Sequence, residues 1–329
     1  MRTGSREPGG VHLGSGAVED DAGPTHSLLA PLALAHAEVD RAAHRRTDDA
    51  WLAAAWADPA SRGFVVGDGR APVRDGRLVT VSPADLPAGE RFFLGVDGAG
   101  LAYFAVHVDG AHPDPDAVTL RHASMVLDVH DGGLMVHAVA LSNWHRAHGH
   151  CSRCGAVTEV TFAGHVRRCP VDGSEHFPRT DPAVIVLVTD QDDRCLLARN
   201  VQSPPGRFST VAGFVEPGES PEQAVVREVA EETGIVVTSA RYAGSQPWPF
   251  PSNLMLGFYA RADGTEPRPD GAEIVEAHWY SRDQLVAALK SGELLLSPSA
   301  SISRRLIEGW YGSELHPPAE ATAPASADR

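Results

Sequence analysis

Three glutamates lie close together in the stretch SPEQAVVREVAEETGI, which runs from Ser220 to Ile235. If this stretch is helical, Glu228 precedes Glu231 by three residues and Glu232 by four, so the three carboxylates share one face. Like charges at these spacings repel each other, and a divalent cation such as Mg²⁺ or Mn²⁺ would offset the repulsion through the hard oxygen ligands that it prefers. Taken alone, the stretch fits a solvated charged face as well as a metal site.

The element that carries these glutamates is predicted to be a helix with well-defined ends. Ser220 can act as the N-cap, Gln223 completes a capping box, and Pro221 fits the first turn, where its missing N–H costs nothing. Gly234 is suited to end the helix in a left-handed conformation. A helix is therefore expected over residues 221–233. Its buried stripe would contain Ala224, Val225, Val229 and Ala230.

Length, charge and composition restrict the class of protein. The chain has 329 residues, 43% of them hydrophobic, which is enough for two or three compact units. A formal net charge of −15 argues against general binding to nucleic acid or anionic membranes and favours a small diffusible substrate. No apolar run is long enough to span a bilayer, and the short run at 28–37 follows a polar, acidic leader. Secretion is not expected, and a cytoplasmic location is predicted.

Changes in pattern along the chain indicate its organisation. Short alternating segments and one helical pattern suggest an α+β domain, whose histidines (His122, His130, His137 and His145) are expected to be core or surface residues rather than ligands. Both ends lack apolar periodicity. We predict a disordered leader at 1–25, the N-terminal α+β domain at 26–147, a cysteine-containing segment at 148–178, a second domain at 179–314 and a disordered tail at 315–329.

The stretch GFVEPGESPEQAVVREVAEETGI, residues 213–235, fits without departure the Nudix box, G-x5-E-x7-R-E-U-x-E-E-x-G-U with U aliphatic. The chain therefore resembles the Nudix hydrolases. The resemblance implies an α/β fold: an α/β/α sandwich, here with a zinc-ribbon-like insert and the α+β N-terminal domain. It also implies that the loop–helix–loop of the box binds divalent metal and pyrophosphate.

The resemblance assigns roles to residues of the box. Glu228, Glu231 and Glu232 would be metal ligands or water-activating groups, with Mg²⁺ or Mn²⁺ as the catalytic ion. Glu219 and Arg227 would form an ion pair that braces the loop. Gly213 would permit the close approach of the loop.

A second motif, SQPWPFPSN, lies ten residues beyond the box. Its three prolines stiffen the backbone, and two aromatic rings held in a stiff segment suit the stacking of a planar base. The alternative is a loop that Trp248 and Phe250 pin to the core. The motif resembles the SQPWPFPxS array of the NADH pyrophosphatase branch, with Asn253 in place of Ser. This resemblance implies substrate contacts from Ser245, Gln246, Pro247, Trp248, Pro249, Phe250 and Pro251.

Resemblance to this branch extends to other segments and implies the reaction. Phe177 stands where the branch usually has Tyr, and Phe214 would be another stacking partner. Glu273 would complete the metal site, and Ser303 would line the base pocket. The implied reaction is hydrolysis of NAD(H) to AMP and nicotinamide mononucleotide by a homodimer, since the branch typically forms one.

The cysteines cluster in a way that indicates a metal site in a reducing compartment. Cys151, Cys154 and Cys169 have the spacing of a zinc ribbon, while Cys195 stands alone in an apolar strand pattern. Where the branch has a fourth Cys, this sequence has Asp172. A structural Cys₃Asp zinc site is chemically possible, His176 or His165 could substitute for the aspartate, and the ribbon could also fold without metal.

Two other functions remain open. Removal of an NAD cap from the 5′ end of RNA would break the same bond as hydrolysis of NADH. A non-catalytic module that senses a dinucleotide is disfavoured, because such modules commonly lose carboxylates of the box and every one is present here. No membrane partner is expected.

Overall fold

A computed structural model describes residue 29 and residues 32–35 and 38–316. The predicted disordered leader at 1–25 lies outside these residues, as does the predicted tail beyond residue 316. Leu315, the second-last described residue, is buried in the core of the C-terminal domain.

The N-terminal part of the chain is an α+β unit. Its four-stranded sheet has the order β1-β6-β7-β2, in which β2 and β7 are parallel, and two small antiparallel pairs join β3 to β8 and β4 to β5. The strands are β1 (Val39–Asp40), β2 (Arg62–Val66), β3 (Arg70–Ala71), β4 (Val73–Arg74), β5 (Arg77–Leu78), β6 (Glu90–Asp97), β7 (Ala102–His107) and β8 (Val118–Thr119). The helices are α1 (Asp49–Ala57), α2 (Leu120–Ala123) and α3 (Val129–Ala147).

Helix α3 packs its apolar side on this sheet. The helix begins five residues before the apolar pattern LMVHAVALSNWHRAH, because the Asp128 side chain caps it by accepting a hydrogen bond from the Asp131 backbone N–H at 2.9 Å. His137 and His145 are buried on it. His122 and His130, also expected to be core or surface residues, are not buried.

The cysteine-containing segment is a three-stranded antiparallel ribbon of order β11-β10-β9. Its strands are β9 (Glu159–Thr161), β10 (Val166–Arg168) and β11 (Glu175–His176). The ribbon leans on the N-terminal sheet through His165, whose Nε2 donates to the Phe93 carbonyl at 2.8 Å.

The C-terminal domain contains a mixed six-stranded sheet of order β15-β16-β12-β13-β17, with β14 also paired to β12. Its strands are β12 (Asp181–Thr189), β13 (Cys195–Asn200), β14 (Val211–Phe214), β15 (Val237–Trp248), β16 (Asn253–Ala262) and β17 (Ile274–Tyr280). Its helices are α4 (Pro221–Thr233), α5 (Arg282–Ser291) and α6 (Ile302–Tyr311).

Alternation along β12 produces the two faces of this sheet, because successive side chains of a strand point to opposite sides. Val184, Val186 and Val188 pack into the core that contains α4. Ile185 and Leu187 pack into the core that contains α5 and α6. The domain is therefore an α/β/α sandwich, which confirms the expected fold class.

Helix α4 has the predicted bounds, Pro221–Thr233, and both hydrogen bonds of the predicted capping box. Gly234 ends it with φ of 68°, in the left-handed region. Ala224, Val225 and Val229 are buried as expected. Ala230 is exposed, contrary to the expected stripe, because it lies about 100° around the helix from its neighbour on the core side.

A short N-terminal segment joins the two domains. Leu29 and Leu32 pack into the core beneath α5 and α6, whereas Leu34 packs into the core of the N-terminal unit. Between them, the Ala33 carbonyl accepts a hydrogen bond from the Gln246 side chain at 2.8 Å. These residues therefore belong to both domains.

Candidate active site

The end of β14 meets the C-terminal half of α4, which carries Glu228, Glu231 and Glu232. In β14, Gly213 pairs with Val184 of β12 and lies directly against the Glu228 carboxylate. A Cβ at position 213 would lie 1.9 Å from the Glu228 Cδ, so no other residue fits there without displacement. Close packing of backbone and carboxylate is therefore the physical reason for a glycine at this position.

Arg227 is the cation at the centre of the carboxylates. Its Nε and Nη2 donate to the two oxygens of Glu219 at 2.8 and 2.7 Å, which is a bidentate pair. Its Nη1 donates to Glu228 at 2.8 Å and to Glu231 at 3.1 Å. Its Nη2 also donates to the Phe214 carbonyl at 2.8 Å, so the side chain ties the loop before α4 to the helix.

The electrostatics divide the glutamates into two groups. Hydrogen bonds from Arg227 lower the pKa of Glu219 to about 2. Burial, together with the charges of Glu228 and Glu273, raises the pKa of Glu232 to about 8. Burial also raises the pKa of Glu228.

Glu232 is the glutamate of this set whose carboxylate is buried and not fully paired among the described residues. Its side chain is 5% exposed, and its Oε2 is buried without a hydrogen-bond partner among the described residues. A buried carboxylate without a partner is unfavourable unless a proton or a cation neutralises it. The donor set therefore fits a divalent metal ion, which Glu228, Glu231, Glu232 and Glu273 would hold.

Glu273 approaches this cluster from the turn before β17. The Asp270 carboxylate orders that turn by accepting hydrogen bonds from the backbone N–H groups of Ala272, Glu273 and Ile274. Glu276, which lies nearby in sequence, is engaged elsewhere, because Arg199 donates to its Oε1 at 2.5 and 2.7 Å. Of these two glutamates, Glu273 is thus the one placed beside the box.

The SQPWPFPSN segment is half strand and half turn. Ser245 to Trp248 form the end of β15 and pair with β16 in the register Gln246↔Met255 and Trp248↔Asn253, whereas the sequence indicated only a segment stiffened by prolines, or alternatively a loop. The Trp248 and Phe250 rings are in edge contact at 4.9 Å. Phe250 packs against the core of the N-terminal unit, as the alternative interpretation of this segment anticipated.

Two of the residues expected to contact substrate are buried and bonded to protein. Gln246 is fully buried, its amide donates to the carbonyls of Ala33 and Ala300, and its oxygen accepts from the Ile302 N–H. Ser303 is 1% exposed and bonds to Ser209 and Thr210. In this arrangement both residues support the pocket walls rather than present polar groups to a ligand.

The other expected contacts range from buried to exposed. Phe177 is 64% exposed and Phe214 is 56% exposed, which is unusual for large apolar rings and leaves their faces available for stacking. Ser245, Pro247 and Trp248 are half-buried along β15, Pro249 is buried, and Pro251 is exposed after a cis peptide bond from Phe250.

The ribbon brings three cysteines and an aspartate to one point. The candidate ligand atoms of Cys151, Cys154, Cys169 and Asp172 all lie within 4.8 Å of one another, and the group contains neither His165 nor His176. Its hydrogen bond with Ser174 lowers the pKa of the Cys151 thiol to about 6, which favours the thiolate that binds zinc. Three sulfurs and a carboxylate form a donor set that suits a structural zinc ion.

Cys195 is separate from this group. It is fully buried in β13, and burial raises the pKa of its thiol to about 12. It is a small apolar residue of the core.

Comparison with known proteins identifies the family. The NUDIX domain matches residues 179–298, and the NADH pyrophosphatase zinc ribbon domain matches residues 146–177. The NAD-capped RNA hydrolase NudC of Mycobacterium tuberculosis (strain ATCC 25618 / H37Rv) is 42% identical over 300 residues, which cover 85% of this chain and 95% of that protein. The chain belongs to the Nudix hydrolase family.

This Nudix hydrolase also resembles a longer eukaryotic protein. The NAD-capped RNA hydrolase NUDT12 of Homo sapiens is 36% identical over 234 residues, which cover 67% of this chain and 49% of that protein. A solved NUDIX hydrolase from Nitrosomonas europaea aligns with a TM-score of 0.40 and 20% identity, over 50% of this chain and 94% of that one. Within the described residues of this Nudix hydrolase, no helix has the length and apolar character needed to cross a bilayer.

Reasoning from the sequence missed residues of the N-terminal unit that touch the aromatic segment. Asn143 on α3 donates from Nδ2 to the carbonyls of Pro249 and Pro251 at 2.9 and 3.1 Å. The Arg121 guanidinium lies over the rings of Phe250 and Trp248. More than a hundred residues separate these partners along the chain, so no local sequence pattern of this Nudix hydrolase indicates that they are in contact.

Proposed function

We propose that this protein hydrolyses the diphosphate of NAD(H) to AMP and nicotinamide mononucleotide. The observation that carries the proposal is the buried Glu232, whose Oε2 has no hydrogen-bond partner among the described residues and lies near the other box carboxylates of α4. The SQPWPFP segment, which belongs to the same domain, supports a dinucleotide as the substrate.

The residues of the box would divide the work. Glu228, Glu231, Glu232 and Glu273 would hold Mg²⁺ or Mn²⁺, which when bound neutralises the diphosphate and lowers the pKa of a bound water. Arg227 and Glu219 fix the helix against the preceding loop through their bidentate pair. Glu231, whose side chain is 60% exposed, is our candidate to accept the proton of the attacking water.

The substrate would lie against the aromatic and small side chains around this centre. We propose that Trp248, Phe250, Phe214 and Phe177 supply the stacking surfaces. Gln246 and Ser303 would shape the pocket from behind, because their own polar atoms are bonded to the protein.

The ribbon would have a structural role. We propose that Cys151, Cys154, Cys169 and Asp172 bind one Zn²⁺, which leaves no open position for chemistry. The site would hold the ribbon in shape between the two domains.

A second candidate is removal of the NAD cap from RNA. It is favoured by the similar relatives, which carry the name NAD-capped RNA hydrolase over 85% of this chain. The bond broken is the same, so the active site described above serves both reactions. A non-catalytic sensing role is disfavoured by the complete carboxylate set.

The test is hydrolysis of NADH, NAD, ADP-ribose and NAD-capped RNA with Mg²⁺ or Mn²⁺, with the products separated by chromatography. We expect AMP and reduced nicotinamide mononucleotide from NADH, and loss of that activity in Glu231→Gln and Glu232→Gln. The ratio of kcat/KM on NADH and on capped RNA ranks the two functions. No cleavage of any dinucleotide would reject the proposed substrate class.

We further propose that the enzyme is a cytoplasmic homodimer. Three free thiols gathered in one cluster suit a reducing compartment. The exposed Phe177 ring suits a pocket completed by a second copy. Light scattering during gel filtration would give a dimer mass for the wild type, and a monomer mass would contradict the proposal.

A further inference from the structure

A cleft separates the N-terminal unit from the aromatic segment of the Nudix domain. Its volume is about 360 Å³, which lies within the usual size range of small-ligand sites. The lining includes Asp68, Thr119, Arg121, Asn143, Arg146 and Phe250. Two of these side chains are cations in a protein whose formal net charge is −15.

Arg121 is held in this cleft without a counter-charge. Its Cζ lies 4.6 Å from the centroid of the Phe250 ring and 5.4 Å from that of Trp248. Among the described residues, no carboxylate lies within ion-pairing distance of its guanidinium. Stacking fixes the plane of the guanidinium and leaves its edge N–H groups free to donate.

Arg146, the second cation, is restrained by a weak partner. It donates to Asp68 at 2.8 Å, but both side chains are more than half exposed, so this ion pair contributes little. Asn143 also lines the cleft and anchors the turn after Trp248. One wall of the cleft is therefore the segment that we propose to stack against the substrate.

We propose that this cleft binds a phosphodiester of RNA on the 3′ side of the NAD cap, with Arg121 as the residue that contacts the phosphate. The inference rests on the proposed function, because it takes the aromatic segment as the place of the cap. Proteins that bind single strands combine cationic side chains that follow the phosphate backbone with aromatic rings on which the bases stack, and arginines contribute cation–π contacts there. Free NADH has no phosphate at that position, so Arg121 would distinguish the two substrates.

The test compares kcat/KM on NADH and on a short NAD-capped RNA for the wild type and Arg121→Gln. We expect Arg121→Gln to lower kcat/KM on capped RNA by about three- to tenfold more than it lowers kcat/KM on NADH. The dependence of log kcat/KM on log salt for capped RNA should become shallower by about 0.7, the contribution of one phosphate on a single strand.

Two further variants serve as matched controls. Arg241 also stacks on a ring, that of Tyr259 at 5.7 Å, but it lies outside the cleft. Arg241→Gln should therefore leave kcat/KM unchanged on both substrates. Asp68→Asn would release Arg146 while keeping a residue that tolerates the φ of 48° at this position, and capped RNA should then be cleaved faster.

Several results would overturn the inference. Equal losses on NADH and capped RNA in Arg121→Gln would mean that the arginine only supports the aromatic pair. Unchanged values on both substrates would mean that the cleft binds no RNA phosphate. If the wild type cleaves no dinucleotide at all, the proposed function itself fails, and this outcome is visible before any variant is compared.

Discussion

The buried carboxylate of Glu232 should make the stability of the protein depend on pH, and this dependence can be measured without an activity assay. The change is Glu232→Gln, which keeps the shape of the side chain and removes its titration. An acid with a raised pKa in the folded state favours folding when protonated. That contribution is complete below its unfolded pKa of 4.5 and is lost as the pH rises through about 8. The metal-free wild type should therefore lose stability across this window, relative to the variant.

The magnitude follows from the size of the shift. Each pH unit between the two pKa values costs about 1.4 kcal/mol, so the stability of the wild type relative to the variant should fall by roughly 2–3 kcal/mol between pH 5.5 and 7.5. Little screening is expected, because the Glu232 side chain is 5% exposed. In a chain of this size the change corresponds to roughly 3–5 °C in apparent Tm.

The assay is thermal unfolding of both proteins at several pH values. Magnesium and manganese are removed by gel filtration and not by a chelator, which would also strip zinc from the ribbon. Glu231→Gln is the matched control, because its side chain lies in the same cluster but is 60% exposed. We expect its pH dependence to follow the wild type closely. Adding Mn²⁺ should then stabilise the wild type more than Glu232→Gln.

The reasoning would be refuted if the melting curves of wild type and Glu232→Gln shift in parallel with pH. The absolute difference at one pH is not diagnostic, since the new amide leaves its own buried polar atoms unsatisfied at a cost of about 1–3 kcal/mol. Only the slope against pH reports the buried charge.

Three other changes test separate parts of the structure. Gly213→Ala should cut turnover about a hundredfold, because its Cβ would meet Glu228 at 1.9 Å and displace that carboxylate, whereas Gly98→Ala, with nothing within 4 Å, should leave turnover unchanged; equal kcat values would contradict this packing. Asp172→Ala should lower the amount of bound zinc per chain, measured with a chromogenic chelator, and Asp172→Cys should retain it. If the alanine variant binds as much zinc as the wild type, the aspartate is excluded as a ligand. Gln246→Leu should lower the stability to urea by about 2–4 kcal/mol, since it strands buried backbone groups, and an unchanged midpoint would show that those groups find other partners.

Local signals explain why the bounds of α4 could be predicted, although its buried stripe was wrong at Ala230. The capping box of Ser220 and Gln223 and the left-handed Gly234 act within a few residues of the chain, so the helix bounds follow from the sequence. Glu219 and Arg227 are likewise close together, because the loop that carries Glu219 continues directly into the helix that carries Arg227. The structure contains this pair.

Contacts between distant segments could not be predicted in this way. Ser245 to Trp248 form a strand only because β16 pairs with them, and prolines at an edge strand are compatible with that pairing. Gln246 is buried against the N-terminal segment and the start of α6, and Ser303 on α6 is buried against Ser209 and Thr210. The family resemblance supplied these residues as pocket members, but the direction of their polar groups depends on partners far away in the chain.

The segment at 29–35 has a consequence for how the protein can be divided. Leu29 and Leu32 pack into the core of the C-terminal domain, Leu34 packs into the core of the N-terminal unit, and Ala33 bonds to Gln246 between them, so these residues link the two domains. A catalytic fragment that begins after the ribbon would carry an apolar groove open to water. The N-terminal unit therefore cannot be removed by a simple truncation. An exchange of either domain with that of a relative would have to include the segment that the two domains share.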